Sequence, residues 1–99
     1  MRWLVDGMNV IGSKPDGWWR DRPAAKRRLL AELEQLEGEV NVVFDEKGLN
    51  ADDEIVRRVA ADADPTGITV VTSDVELQQR VREHGANVEG AGTFRRRLE

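Results

Sequence analysis

Apolar and polar positions along this chain alternate between two periods. Trp3-Leu4-Val5 is a short continuous apolar run that stops at Asp6-Gly7. Residues 24–37 then carry Leu29, Leu30, Leu33 and Leu36 at i, i+1, i+4 and i+7, the spacing of one helical face. Pro23 suits the first turn of that helix and Gly38 its end. Val40, Val42, Val43 and Phe44 predict a second strand, closed by Asp45. Ile55, Val56, Val59 and Ala60 share a face of a helix over 52–62. The β-branched run from Ile68 to Thr72 predicts a third strand. Ser73 with Glu76 three residues later forms a capping-box pattern, so a helix is expected to start there. It buries Leu77 and Val81 and closes at Gly85. Residues 86–89 suit a short fourth strand.

The resulting order is β-α-β-α-β-α-β. Strands that are apolar on both faces, alternating with helices, imply a parallel sheet covered on both sides and joined by right-handed crossovers. The expected fold is therefore α/β, a three-layer sandwich around a parallel sheet of about four strands. Residues 12–22 and 46–50 read as loops, and 90–99 as a basic tail. A length of 99 residues fits one domain, 1–99.

Composition then removes several chemistries. There is no cysteine, which excludes disulfides, zinc–thiolate sites and thiol nucleophiles. The one histidine, His84, excludes a His-rich metal site, and its place at a helix end makes it a poor general base. No apolar run approaches the ~20 residues of a membrane span. The start has no signal-peptide layout, because Asp6 interrupts the apolar run. A cytoplasmic protein with no membrane partner is expected.

Net charge is −4, but the bases are not spread evenly. Arg20, Arg22, Lys26, Arg27 and Arg28 crowd one segment, and Arg95, Arg96 and Arg97 are consecutive. The surface should be electrically two-sided, with a basic side suited to a phosphate backbone. Trp18-Trp19 lies beside Arg20 and Arg22. One tryptophan is expected to cap the core, and the other is open to stacking on a base.

The acids carry the chemistry. Asp6, Asp45 and Asp74 each stand at the end of a predicted strand, and a parallel sheet gathers all such ends on the edge where ligands bind. Asp52 and Asp53 open a helix that starts on the same edge. Singly, each has an ordinary role: Asp52, Asp53 and Asp74 favour a helix dipole, and Asp45 solvates a turn. Together, four or five carboxylates in one cleft repel one another and raise their pKa values. A hard divalent cation, Mg²⁺ or Mn²⁺, with oxygen ligands is the natural compensation. Alone, Asp6-Gly7-Met8-Asn9 reads as a plain Asx/Gly turn; beside the acids, Asn9 returns an amide to the same cleft, able to fix a carboxylate or a water.

In order, VDGMNVIGS (5–13), VVFD (42–45), ADDEIVRRV (51–59) and VVTSDVELQQRVREHGANV (70–88) resemble the NYN domain in its YacP-like branch, within the PIN-like ribonucleases. The resemblance runs from Arg2 to Leu98. It implies a compact PIN-like, Rossmann-like α/β fold, Mg²⁺ or Mn²⁺, and hydrolysis of RNA phosphodiester bonds. Asp6, Asp53 and Asp74 match the family's metal-binding acids and, with Asn9, its catalytic set. Asp52 matches the partner acid of the double aspartate, and Asp45 is a weaker match. Arg20, Arg22, Lys26, Arg95, Arg96 and Arg97 are expected to bind the RNA backbone. In the family a longer connection, often with another strand, joins the second strand to the ADDxI helix; here only 46–51 intervene.

Two further readings compete with a metal-dependent endoribonuclease. One is an RNA- or protein-binding PIN-like module with little or no catalytic activity, which the short 46–51 connection favours. The other is a receiver-like phosphoacceptor domain, weakened by the lack of a lysine after a late strand.

Overall fold

The computed structural model describes residues 1–99. In chain order the elements are β1 (Arg2–Asp6), α1 (Gly7–Gly12), α2 (Arg22–Leu33), β2 (Glu39–Val43), α3 (Ala51–Ala61), β3 (Ile68–Val71), α4 (Val75–Glu83), β4 (Asn87–Glu89) and α5 (Ala91–Arg97), with single 3-10 turns at Trp18–Arg20 and Pro65–Gly67. The sheet has the order β2-β1-β3-β4, and every pairing is parallel. The α/β class and the four-strand parallel sheet expected from the sequence are both present.

Alternation along β1 and β3 divides the core into two halves. Trp3, Val5 and Val71 pack with Val10, Leu29, Leu33 and Phe94, under α1, α2 and α5. Leu4, Ile68 and Val70 pack with Ile55, Val59, Leu77 and Val81, under α3 and α4. The two helical layers with the sheet between them form the three-layer sandwich.

Local chemistry sets the helix starts. Asp21 caps α2 by accepting from the Ala24 amide at 3.1 Å, and Pro23 occupies the first turn. Asn50 caps α3 by accepting from the Asp53 amide at 3.3 Å. Gly38 has φ +98°, and a Cβ there would collide with the Met1 carbonyl, so only glycine lets β2 enter beside the chain start.

Four expectations need correction. Residues 90–99 are not a free tail: α5 docks on the sheet, with Phe94 fully buried at 5.2 Å from the Trp3 ring. Residues 7–12 form a helical turn and a half rather than a plain turn, because Val10 and Ile11 both reach the core. Helix α2 ends at Leu33, and Leu30 is 43% exposed instead of buried with Leu29. Asp74, not Ser73, caps α4: it accepts from the Glu76 and Leu77 amides at 3.0 and 3.3 Å. The Ser73 hydroxyl is engaged elsewhere, accepting from the Ala91 amide at 2.9 Å. Of the tryptophan pair, Trp18 packs against the core and Trp19 is 52% exposed.

Candidate acidic functional site

The C-terminal edge of the sheet carries an open cleft lined by Asp6, Asn9, Asp45, Asn50, Asp52 and Asp74, with Met8 at its wall. Asp6 sits at the junction of β1 and α1, where the buried strand carries it into the protein; it is only 5% exposed. Thr72 Oγ1 donates to its Oδ2 at 3.0 Å. Burial pushes the Asp6 carboxyl up to about 6; the Thr72 hydroxyl opposes that rise, while the charges of Asp52 and Asp45 add to it.

The rest of the rim is tied to backbone. Asp45 accepts from the Ala51 amide at 2.9 Å, fixing the start of α3. Asn9 Oδ1 accepts from the Ser73 amide at 2.8 Å, joining α1 to the turn that leads into α4. Thr72 Oγ1 also accepts from the Asp74 amide at 3.2 Å, so one hydroxyl links the positions of Asp6 and Asp74. The close seat of Phe44 against Gly7 braces this edge; a Cβ on residue 7 would overlap the phenyl ring.

The double aspartate divides. Asp52 lies in the cleft, half-buried, and its carboxyl is pushed up by burial and then by the charges of Asp74 and Asp45, with Arg80 pulling the other way. Asp53 does not line this cleft. Its side chain is 69% exposed, pairs with Arg80 at 3.1 Å and borders a neighbouring groove with Glu54 and Arg57. Of the two neighbouring acids expected in the cleft, Asp52 lines it and Asp53 does not. Helical spacing accounts for it: Asp52 heads the stripe of Ile55, Val56 and Val59, which faces the sheet, whereas Asp53 heads the exposed stripe of Arg57 and Ala60.

The basic residues separate as well. Lys26 Nζ lies 5.2 Å from the Phe44 ring, beside the braced edge. Arg22 lies over Trp18 at 5.5 Å and Arg20 over Trp19 at 6.0 Å. The three C-terminal arginines do not act as one patch. Arg95 is tucked in, donating to the Val10 carbonyl at 3.2 Å and lying 3.6 Å from Asp16. Arg97 makes a two-pronged pair with Glu89 at 2.7 and 2.8 Å and covers Trp3. Arg96 remains exposed, touching only the Gly92 carbonyl one turn back.

The donor set of the cleft bears on whether it could hold a divalent cation. It consists of oxygen donors alone, one of them a desolvated carboxylate repelled by its neighbours, which is the chemistry a hard ion neutralises. No three acidic or histidine side chains already meet at ligand distance. Asp45 and Asp74 spend an oxygen each on backbone amides. An ion held here would therefore have to keep much of its water shell, as Mg²⁺ can.

A parallel α/β domain with an acidic cleft at its carboxyl edge is the class of protein that fold and site define. The chain belongs to the YacP-like NYN domain family, whose pattern matches residues 23–99. Its fold is similar to the crystal structure of Rae1 (YacP) from Bacillus subtilis, a W164L mutant, with a TM-score of 0.76 and 26% identity. That likeness covers 99% of this chain and 74% of the other, and so includes the Asp6–Asn9 turn that precedes the family match. No curated protein matches the chain. The chain is a ribonuclease-like module.

Proposed function

We propose that this domain is a metal-dependent endoribonuclease that hydrolyses RNA phosphodiester bonds at the acidic cleft. The observation that carries the reading is the convergence of Asp6, Asp45, Asp52 and Asp74 on one cleft in a ribonuclease-like family. Asp6, Asp52 and Asp74 would hold Mg²⁺ or Mn²⁺, with Asp45 through water. Bound there, the ion would neutralise charge growing on the phosphate oxygens and acidify a water. Asn9 holds the turn that sets Asp74 opposite Asp6. Lys26, Arg22 and Arg20, at the start of α2 and just before it, are the groups that would grip the RNA backbone without reading its sequence. Arg96 is the one C-terminal arginine free to join them.

The test is cleavage of a labelled single-stranded RNA by the 99-residue chain in Mn²⁺, with a chelator control and with Asp6→Asn. Cutting that needs the ion and is lost in the variant is expected. RNA binding without cutting, across metals and substrates, would make the domain a binding module instead.

A further inference from the structure

Strand β2 forms one edge of the sheet, and its outer backbone pairs with no other strand. An exposed edge is normally protected by shortness, charge, proline or a bulge. The opposite edge has such protection: β4 is three residues long and its Glu89 is locked to Arg97. Strand β2 has less of it: one charge, Glu39 at its first residue, and neither proline nor bulge. It runs for five residues, Glu39-Val40-Asn41-Val42-Val43, in unbroken register with β1. On the α2 side, half-buried Val40 and Val42 join exposed Leu30 and half-buried Leu36 in an open apolar groove.

We propose that a second copy of this chain covers this edge, with β2 pairing antiparallel to its own mate about a two-fold axis at Asn41. The sequence of the strand is self-complementary in that register. Val40 faces Val42 of the mate and Val42 faces Val40, both on the α2 side of the sheet. Asn41 faces Asn41, and Glu39 faces Val43 on the other side. No like charges meet across the seam.

Helix α2 agrees independently. It crosses between β1 and β2, so a two-fold at the β2 edge sets the two α2 axes about two strand spacings apart, roughly 10 Å, which is a normal helix-packing distance. Arg27 and Leu30, with Glu34 at the C-terminal cap of α2, are all exposed and lie at spacings of three and four, one stripe of the helix surface. Neither Arg27 nor Glu34 has an ion-pair partner within the chain. Antiparallel pairing of two such stripes sets Leu30 near Leu30 and Arg27 of each copy opposite Glu34 of the other. The apolar groove and the two unpaired charges are thereby satisfied in one closed, isologous contact.

Sedimentation equilibrium on the 99-residue chain tests this. A mass twice 11.2 kDa is expected at tens of micromolar. Leu30→Lys, at an exposed helix position, should give a folded monomer with an unchanged circular dichroism spectrum. Arg27→Glu should weaken the dimer about three- to tenfold, since two like-charge contacts replace two attractive ones, and adding Glu34→Arg should restore it. A mass of 11.2 kDa up to hundreds of micromolar would overturn the proposal. So would an open polymer, a dimer indifferent to Leu30→Lys, or failure of the charge swap to restore association.

Discussion

Asp6 and Thr72 form the hinge of the acidic edge. The Thr72 hydroxyl donates to Asp6 at 3.0 Å and accepts from the Asp74 amide at 3.2 Å, so one fully buried side chain sets the spacing of two acids on different elements. Thr72→Val keeps the shape and removes both bonds. Asp6 then loses the contact that favours its charged form, so its pKa should rise above about 6. Stability at neutral pH should fall by about 1–3 kcal/mol, because a buried acceptor is left unpaired. Denaturant titration measures the loss, and a carboxyl-carbon NMR titration of Asp6 measures the shift. An Asp6 that titrates unchanged would show that Thr72 has no such influence.

Stability should fall as pH rises from about 4 to about 6 in the absence of metal. The unfolded Asp6 titrates near the ordinary 3.8 and the folded one at about 6, so the folded state holds an extra proton in that window. Below it both states are protonated. Above it the full cost of the buried charge is present, about 3 kcal/mol for a displacement of this size. Asp52, raised for a similar reason, adds in the same direction. Asp6→Asn should flatten the profile and raise the melting temperature at pH 7 in a chelator. A variant less stable than its parent at pH 7 would contradict the assignment.

Phe94→Ala should destabilise the domain by about 3–5 kcal/mol, the usual range for a buried aromatic. Phe94 is fully buried against Trp3, and it is the main anchor of α5. The same substitution in a solvated tail would have almost no effect. Thermal unfolding followed by Trp fluorescence distinguishes the two.

The strands and α2 to α4 were legible because each repeats its apolar period long enough to be recognised: Val40 to Phe44, Leu29 to Leu36, Ile55 to Ala60. Helix α5 was hidden because it offers only Ala91 and Phe94 to the core, ahead of three arginines that read as solvated. Helix α1 was hidden by glycine at both ends and only two buried apolar residues after the first. The cap of α4 lies one residue beyond the local pattern because a long-range bond from the Ala91 amide occupies Ser73, and no local pattern contains that partner. The choice between Asp52 and Asp53 was available in principle. Asp52 lies three, four and seven residues before Ile55, Val56 and Val59, and that spacing puts it on the sheet-facing side.

That choice gives the most direct measurement of the central claim, that catalysis belongs to the acids lining the cleft. Asp52→Asn and Asp53→Asn are nearly isosteric and occupy the same first helical turn, so each loses a similar helix-dipole contribution of about 0.3–1 kcal/mol. Single-turnover cleavage of a short RNA in Mn²⁺ should fall about a hundredfold in Asp52→Asn, which removes a charge that would face the proposed ion. Asp53→Asn should cut within a few-fold of the parent, having lost only its exposed pair with Arg80. The reverse result, with Asp53→Asn inactive and Asp52→Asn active, would contradict the site.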